Sequence, residues 1–187
     1  MIAAAIWVGN KFSWAGLSTL ILCLAGFIRI DVVISRKQNK HDLELFNRLL
    51  NTLPSDGSIK FIDEFNFDGW SFKRSNLDQL QKFYYEWTTP EFQFLNKKLE
   101  KLRAELHKKV VSYLNYHAVN TWVIKGNPEY SSVPEEWEEE QPVRFKEVVD
   151  KLHNSAGEIV KLHKELVKLG IKKGLKNISL TKQSSGR

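Results

Sequence analysis

Cysteine is nearly absent from this chain of 187 residues, which holds a single one, Cys23. One cysteine cannot form an intramolecular disulfide, a CxxC redox pair or the multi-cysteine site of a structural zinc ion. It lies inside an apolar segment, and the rest of the chain has no thiol. The composition is therefore consistent with a domain that folds in a reducing cytosol.

Motifs of the common enzyme classes are also missing. The sequence contains no GxxxxGK[ST] phosphate loop, GxGxxG turn, HExxH pair or GxSxG nucleophile elbow. Its histidines do not pair for metal binding, because those on predicted helices are ten residues apart and therefore about 80° apart around the axis: His107 with His117, and His153 with His163. We predict that the protein is not an enzyme and uses neither a metal nor a cofactor.

Two further features have structural readings. His117 and His163 fall on apolar helical stripes, so we expect hydrogen-bonded core histidines. Five glutamates lie close together between two prolines: Glu135, Glu136, Glu138, Glu139 and Glu140. Such a run can bind cations, can favour the positive end of a helix dipole, or can meet a basic patch on a neighbouring subunit. We prefer stabilisation of the helix dipole as the explanation, because it requires no ligand.

What the chain does have is a long apolar run near its N-terminus. Phe12 to Ile28 is 17 residues without a charge, and a helix of that length covers about 25 Å of a hydrocarbon core of roughly 30 Å. The apolar run Ile2 to Val8 precedes it. We predict a transmembrane helix within residues 1–40. A buried helix of a soluble protein is the alternative, because Arg29 and Asp31 follow closely.

Positive charge is unequal on the two sides of this run. Lys11 and the terminal amine precede it, whereas Arg29, Arg36, Lys37 and Lys40 follow it. A secretory signal peptide has the opposite order. By the positive-inside rule, the C-terminal part is predicted to face the cytoplasm.

Small residues recur through the apolar segment at intervals of three, four or seven. At 100° per residue they fall on one stripe: Gly9, Gly16, Thr19, Cys23 and Gly26. Small residues let membrane helices approach closely, so the stripe predicts a helix-packing or pore-lining face; a chance pattern in an apolar segment is the alternative. A pore would need several copies of such a single span.

The remainder is predicted to be all-α, as an antiparallel bundle of four or five helices over residues 41–175, with a flexible basic tail over 176–187. Apolar periodicity predicts helices over 41–53, from a cap at Ser75 to Trp87, from Pro90 to about Trp122, and over about 143–170. Residues 59–65, with Ser58 as N-cap, fit a helix or a strand, and we prefer the helix. Residues 125–134 are predicted to be a loop.

The C-terminal part is strongly basic within a chain of net charge +6. Its candidate anion-binding residues are Lys161, Lys164, Lys168, Lys172 and Lys173. They can meet phosphate of nucleic acid or of the inner leaflet, and a solvated helix end is the alternative. Aromatic residues near Lys73 and Arg74 can stack bases, although core packing is their commoner use: Trp70, Phe72, Phe83, Tyr84 and Tyr85.

Three blocks resemble a family of uncharacterised bacterial proteins: LLNTLPSDGSIKFIDEFNF, RSNLDQLQKFYYEW and SSVPEEWEEEQPVRFKEVVDKLH. With the apolar segment in front, the chain resembles the membrane effectors of bacterial anti-phage defence, and most of all the channel-forming effectors of Hailong-type systems. That resemblance implies a homo-oligomeric ion channel held quiet by a single-stranded DNA product of a partner nucleotidyltransferase.

Together these features predict a single-pass protein of the bacterial inner membrane that acts in abortive infection by forming an ion-conducting pore. Membrane lipid, further copies of the chain and an anionic nucleic acid are its expected partners. A membrane-tethered helical module that binds protein or nucleic acid and conducts nothing is the alternative.

Overall fold

The computed structural model describes residues 39–68 and 70–175. By contacts the chain divides into two units, Met1–Lys40 and His41–Arg187, and the fold described below is that of the second. The predicted transmembrane helix, the small-residue stripe from Gly9 to Gly26 and the tail over 176–187 lie outside the described residues. Among the helices that are described, none is both long and apolar enough to cross a membrane.

Six α-helices are described in this part of the chain. They are α1 (39–52), α2 (Ser58–Glu64), α3 (Asp78–Glu86), α4 (Lys97–Asn120), α5 (Glu136–Glu140) and α6 (Pro142–Lys172). Two short 3₁₀ turns, Arg74–Leu77 and Pro90–Phe92, precede α3 and α4. The predicted helical character is thus confirmed.

The longest helices, α4 and α6, pack antiparallel to each other. Lys109 pairs with Glu158 and the ring of Tyr116 lies under Lys151, so positions on α6 fall as those on α4 rise. The same reasoning makes α1 antiparallel to α6, where the Leu53 carbonyl meets His163 and Phe46 meets Gly170. An apolar core fills the space between them, with Leu49, Leu106, Val110, Leu152 and Ile159 fully buried.

A small antiparallel sheet stands beside the helices, an element that the all-α prediction did not include. Its strands are β1 (Phe72–Lys73), β2 (Trp122–Ile124) and β3 (Asn127–Ser132), in the order β1–β3–β2. β2 and β3 form a hairpin whose turn holds Gly126 at a φ of 88°, a left-handed value that suits glycine. Residues 125–134, predicted to be a loop, therefore supply the central strand.

Helix starts also differ from the predictions. The long helix does not begin at Pro90 but at Lys97, where the Asn96 side chain accepts hydrogen bonds from two backbone N–H groups. Leu95, which falls inside the predicted helix from Pro90, lies before the observed one and is exposed. Neither predicted serine cap is used, since Ser75 lies within a 3₁₀ turn and Ser58 is buried inside α2.

Gly170 marks the closest approach of α6 to α1. A Cβ atom at this position would overlap the buried ring of Phe46. We expect Gly170→Ala to lower the free energy of unfolding by about 1–3 kcal/mol, because the ring must leave its packed position. Urea unfolding of the full chain in a mild detergent, followed by circular dichroism, measures this change; an unchanged midpoint would contradict the close packing.

Candidate anion-binding face

α6 separates an apolar face from a basic one. Residues turned towards the core recur at three- and four-residue steps: Leu152, Ala156, Ile159, His163 and Leu166. The opposite side carries the lysines of the C-terminal half. We call Lys161, Lys164, Lys168, Lys172 and Lys173 the lysine face; all five are exposed. At 100° per residue the first four lie within an arc of about 80°, and Lys173 stands apart at the helix end.

The cations of this face are mostly unneutralised. Lys164 forms an ion pair with Asp63 of α2 at 2.9 Å. In the part of the chain that the structure describes, no acidic side chain forms an ion pair with Lys161, Lys168, Lys172 or Lys173. Like charges held on one surface repel one another. An anion that binds between them reduces this repulsion and lowers the free energy of the protein.

Three of these lysines line a shallow groove of about 430 Å³ between α2 and α6. Its walls are Asp63, Gly157, Val160, Lys161, Lys164, Glu165 and Lys168. A second groove of about 410 Å³ shares Asp63 and Gly157 with the first, and it is lined also by Ile62, Glu64, Phe65, Asn66 and His153. Lys172 and Lys173 line neither groove. The structure therefore brings Lys161, Lys164 and Lys168 together and places the other two at the helix end.

Gly157 lies where the two grooves meet, in the interior of α6. Nothing lies within 4 Å of the position that a Cβ atom would take there. Glycine costs a helix interior about 0.5–1 kcal/mol relative to alanine, so the packing of this domain does not explain its presence. Sequence reasoning missed this residue and also missed Asp63, whose partner Lys164 is far away in the chain.

We expect Gly157→Ala to raise the free energy of unfolding by about 0.5–1 kcal/mol, since the new methyl group enters open space and the unfolded chain loses freedom. The urea midpoint of the full chain in detergent measures it. Gly170→Ala, the same substitution on the same helix, should move the midpoint the other way. Destabilisation by both would show that the groove is tighter than described.

The two histidines predicted to lie in the core have different surroundings, and His117 is only half-buried. His163 is fully buried, and its Nε2 lies 2.9 Å from the carbonyl oxygen of Leu53, as expected for a hydrogen-bonded core histidine. Burial lowers its pKa, although this hydrogen bond opposes the shift. Burial, assisted by the charge of Arg74, lowers the pKa of His117 to about 4. His117 Nε2 is buried without a hydrogen-bond partner.

The aromatic residues proposed for base stacking do not form one surface. Phe72 and Phe83 are buried in the core, so the base-stacking role is wrong for them. Tyr84 stacks on His107 at 6.3 Å between ring centroids. Only Trp70 and Tyr85 of the set are strongly exposed. The neighbouring Lys73 is paired with Glu129 at 3.4 Å.

The acidic residues between the two prolines form α5 and the turn before it. All five glutamates are exposed, while Trp137 between them is buried with the Arg144 guanidinium 3.7 Å from its ring centroid. Within residues 39–68 and 70–175, no group of three or more His, Cys, Asp or Glu side chains is arranged to hold a metal ion.

Comparison of the chain with protein-family models, curated proteins and solved structures finds no match. The case for a function therefore depends on the residues of this chain.

Proposed function

We propose that the chain is an oligomeric membrane effector of bacterial anti-phage defence. Its N-terminal apolar segment, in several copies, forms a pore that depolarises the inner membrane, and its helical domain controls the pore by binding an anionic nucleic acid. The observation that carries this proposal is the lysine face, four of whose five cations have no acidic partner in the described structure.

The pore part of the proposal is supported by sequence. A charge-free run from Phe12 to Ile28, a stripe of small residues through it and basic residues behind it are the properties of a membrane helix that packs against copies of itself. The resemblance to Hailong-type effectors supports the same assignment and names single-stranded DNA as the ligand. A partner nucleotidyltransferase would supply it.

Control of the pore by the helical domain is argued from the positive charge of α6. A nucleic acid bound along Lys161, Lys168 and Lys172 would release counterions, so its affinity should fall steeply with salt. The ligand can hold the pore closed only if it binds the closed state more tightly than the open one. A face that is more exposed in the closed state than in the open state meets that condition.

Binding of fluorescent single-stranded DNA to the full chain in neutral-lipid nanodiscs tests this proposal. We expect Lys161→Glu/Lys168→Glu/Lys172→Glu to weaken binding at least about 100-fold and to reduce the slope of log affinity against log salt by about 2. The matched control is Lys97→Glu/Lys98→Glu/Lys101→Glu, an equal charge change at exposed positions of α4.

Unchanged binding in the α6 variant, or an equal loss in both variants, would contradict a role for the lysine face. Anionic vesicles added to the same assay separate the two sources of phosphate. If the vesicles displace the DNA only when lipid is in large excess over protein, nucleic acid is the ligand. Tight binding to vesicles without any binding to DNA would contradict the proposal.

The second candidate is a membrane-tethered module that binds nucleic acid and conducts nothing. The exposed, largely unpaired lysines of α6 support it equally, because binding of an anion to them does not require a pore. The two candidates agree on DNA binding and differ in ion flow.

A further inference from the structure

The sheet ends in an exposed apolar edge. β2 is an outer strand that pairs with β3 on one side only among the described residues. Two of its side chains, Trp122 and Val123, are 54% and 51% exposed, and Val119 in the last turn of α4 is 72% exposed. We call Val119, Trp122 and Val123 the Trp122 patch. An outer strand with exposed large apolar side chains is a surface that proteins normally cover.

Negative charge lies directly beside this patch. The ring of Trp122 packs edge-on against Trp137 of α5, with 5.6 Å between centroids. The residues around Trp137 are the exposed glutamates Glu135, Glu136, Glu138, Glu139 and Glu140. Within residues 39–68 and 70–175, none of these carboxylates is in an ion pair. A partner for the Trp122 patch must therefore offer an apolar contact surrounded by positive charge.

The other end of the same domain has that chemistry. Ile171, in the last turn of α6, is 48% exposed between Lys168, Lys172 and Lys173. α6 starts beside α5 and has 31 residues, so its two ends are about 46 Å apart. Because one copy cannot bring its own basic end onto its own acidic end, the complementary surfaces can meet only between copies.

We propose that the Trp122 patch and α5 of one copy dock on the C-terminal end of α6 of a second copy. The contact is head to tail, so repetition around a rotation axis closes a ring, as a multi-subunit pore requires. Trp122 contacts Ile171, and the α5 glutamates neutralise Lys168, Lys172 and Lys173, which form no ion pair among the described residues.

This inference rests on the proposed function in one respect, because the docking surface and the DNA-binding face share Lys168 and Lys172. A bound polyanion and a neighbouring subunit then exclude each other. The ligand favours separated subunits because only these expose the lysines, and its loss favours the ring. This is a physical route by which a nucleic acid keeps the effector quiet.

A charge-swap experiment on the full chain tests the interface. Variant A is Glu138→Lys/Glu139→Lys/Glu140→Lys on α5, and variant B is Lys168→Glu/Lys172→Glu/Lys173→Glu on α6. Like charges then face each other in assemblies of either variant alone, and we expect each to self-associate at least about 10-fold more weakly than the unchanged chain. In a one-to-one mixture every contact between A and B pairs opposite charges, so association should return.

Sizes are measured by mass photometry after mild detergent extraction, and Trp122→Ser serves as an uncharged variant that should also weaken assembly. Assembly of A or B alone at unchanged strength, or a mixture that stays dissociated, would overturn the interface. Variant A retains the lysine face, so its binding of single-stranded DNA tests the proposed function separately. DNA should dissociate assemblies of the unchanged chain; persistence of assemblies saturated with DNA would overturn the competition.

Discussion

Replacing Arg103 by methionine should lower the free energy of unfolding by about 3–5 kcal/mol. The guanidinium is only 9% exposed and donates to Glu100 through Nε and Nη2, at distances of 2.6–3.1 Å. Its Nη1 also donates to the Trp87 carbonyl at the end of α3. Removing the guanidinium leaves the Trp87 carbonyl without this donor. The Glu100 carboxylate, 25% exposed and still accepting from the N–H of Phe94, loses its cation, and the two losses together cost more than losing a surface ion pair.

Lys109→Met is the matched control. Lys109 and Glu158 are 2.6 Å apart, as close as the buried pair, but their side chains are 39% and 56% exposed. Water replaces the lost partner there, so the expected cost is at most about 1 kcal/mol. Urea unfolding of the full chain in detergent measures both. Equal, small changes would mean that the Arg103 site is open to water.

Acid should destabilise the domain between about pH 6.5 and pH 4. Burial, with the charge of Arg74, lowers the pKa of His117 from 6.5 to about 4. In this range the unfolded chain binds a proton that the folded chain does not, so stability falls as the pH falls and this effect ends below the folded pKa. At 1.36 kcal/mol per pKa unit, His117 accounts for roughly 3 kcal/mol. His163, whose pKa is also lowered, adds in the same direction.

Unfolding free energies of the full chain at pH 7, 6, 5 and 4.5 measure the slope. His117→Phe keeps an aromatic ring beside Phe72, 5.2 Å from it in the present structure, and removes the titrating group. We expect the variant to show a flatter dependence on pH. The same slope in the variant and the unchanged chain would assign the acid sensitivity to other groups.

Sequence predicted α4 and α6 well because their apolar residues repeat over many turns. On α6, the residues that recur at helical spacing are buried, among them Phe145, Leu152, Ile159, His163 and Leu166. A long amphipathic pattern fixes both the helix and its inward face, since only one face can meet the core.

The sheet was missed because its strands are too short to establish a period. β1 has two residues, and β2 and β3 have three and six. β3 also carries mostly exposed polar side chains near the turn, which resemble a loop. The one local signal was Lys125-Gly126 between Trp122–Ile124 and Asn127–Ser132, a two-residue connection with a glycine. Its pairing with Phe72 and Lys73 depends on contacts far apart in sequence.

The predicted helix caps were wrong for a related reason. Side chains remote in sequence, instead of local serines, accept hydrogen bonds from backbone N–H groups near the helix starts. The N–H of Ser58 donates to the Gln79 side chain at 2.7 Å, so α2 starts without a serine cap. Asp42 of α1 accepts from the N–H groups of Leu95 and Asn96 just before α4. Capping rules describe neighbours along the chain and cannot see such partners.

For the candidate site, the sequence analysis named Lys161, Lys164 and Lys168 from the basic composition of the C-terminal part, and the structure places all three along one groove beside α6. The sequence could not show that Asp63 forms an ion pair with Lys164, that Gly157 lines the groove, or that Lys173 lies at the helix end outside the groove. Charge partners and grooves arise from the packing of α2 on α6, and that packing is not local in sequence.

The central claim is that this chain lets ions cross a membrane under control of its helical domain. The most direct test is the membrane potential of bacteria that express the full chain, compared with bacteria that express a version lacking residues 1–28. The account predicts depolarisation with the full chain, none with the truncated chain, and earlier depolarisation with Lys161→Glu, which removes a cation of the lysine face that lies outside the proposed docking surface. An unchanged potential in both full-length strains, with the protein shown to be in the membrane, would contradict it and favour the non-conducting tether.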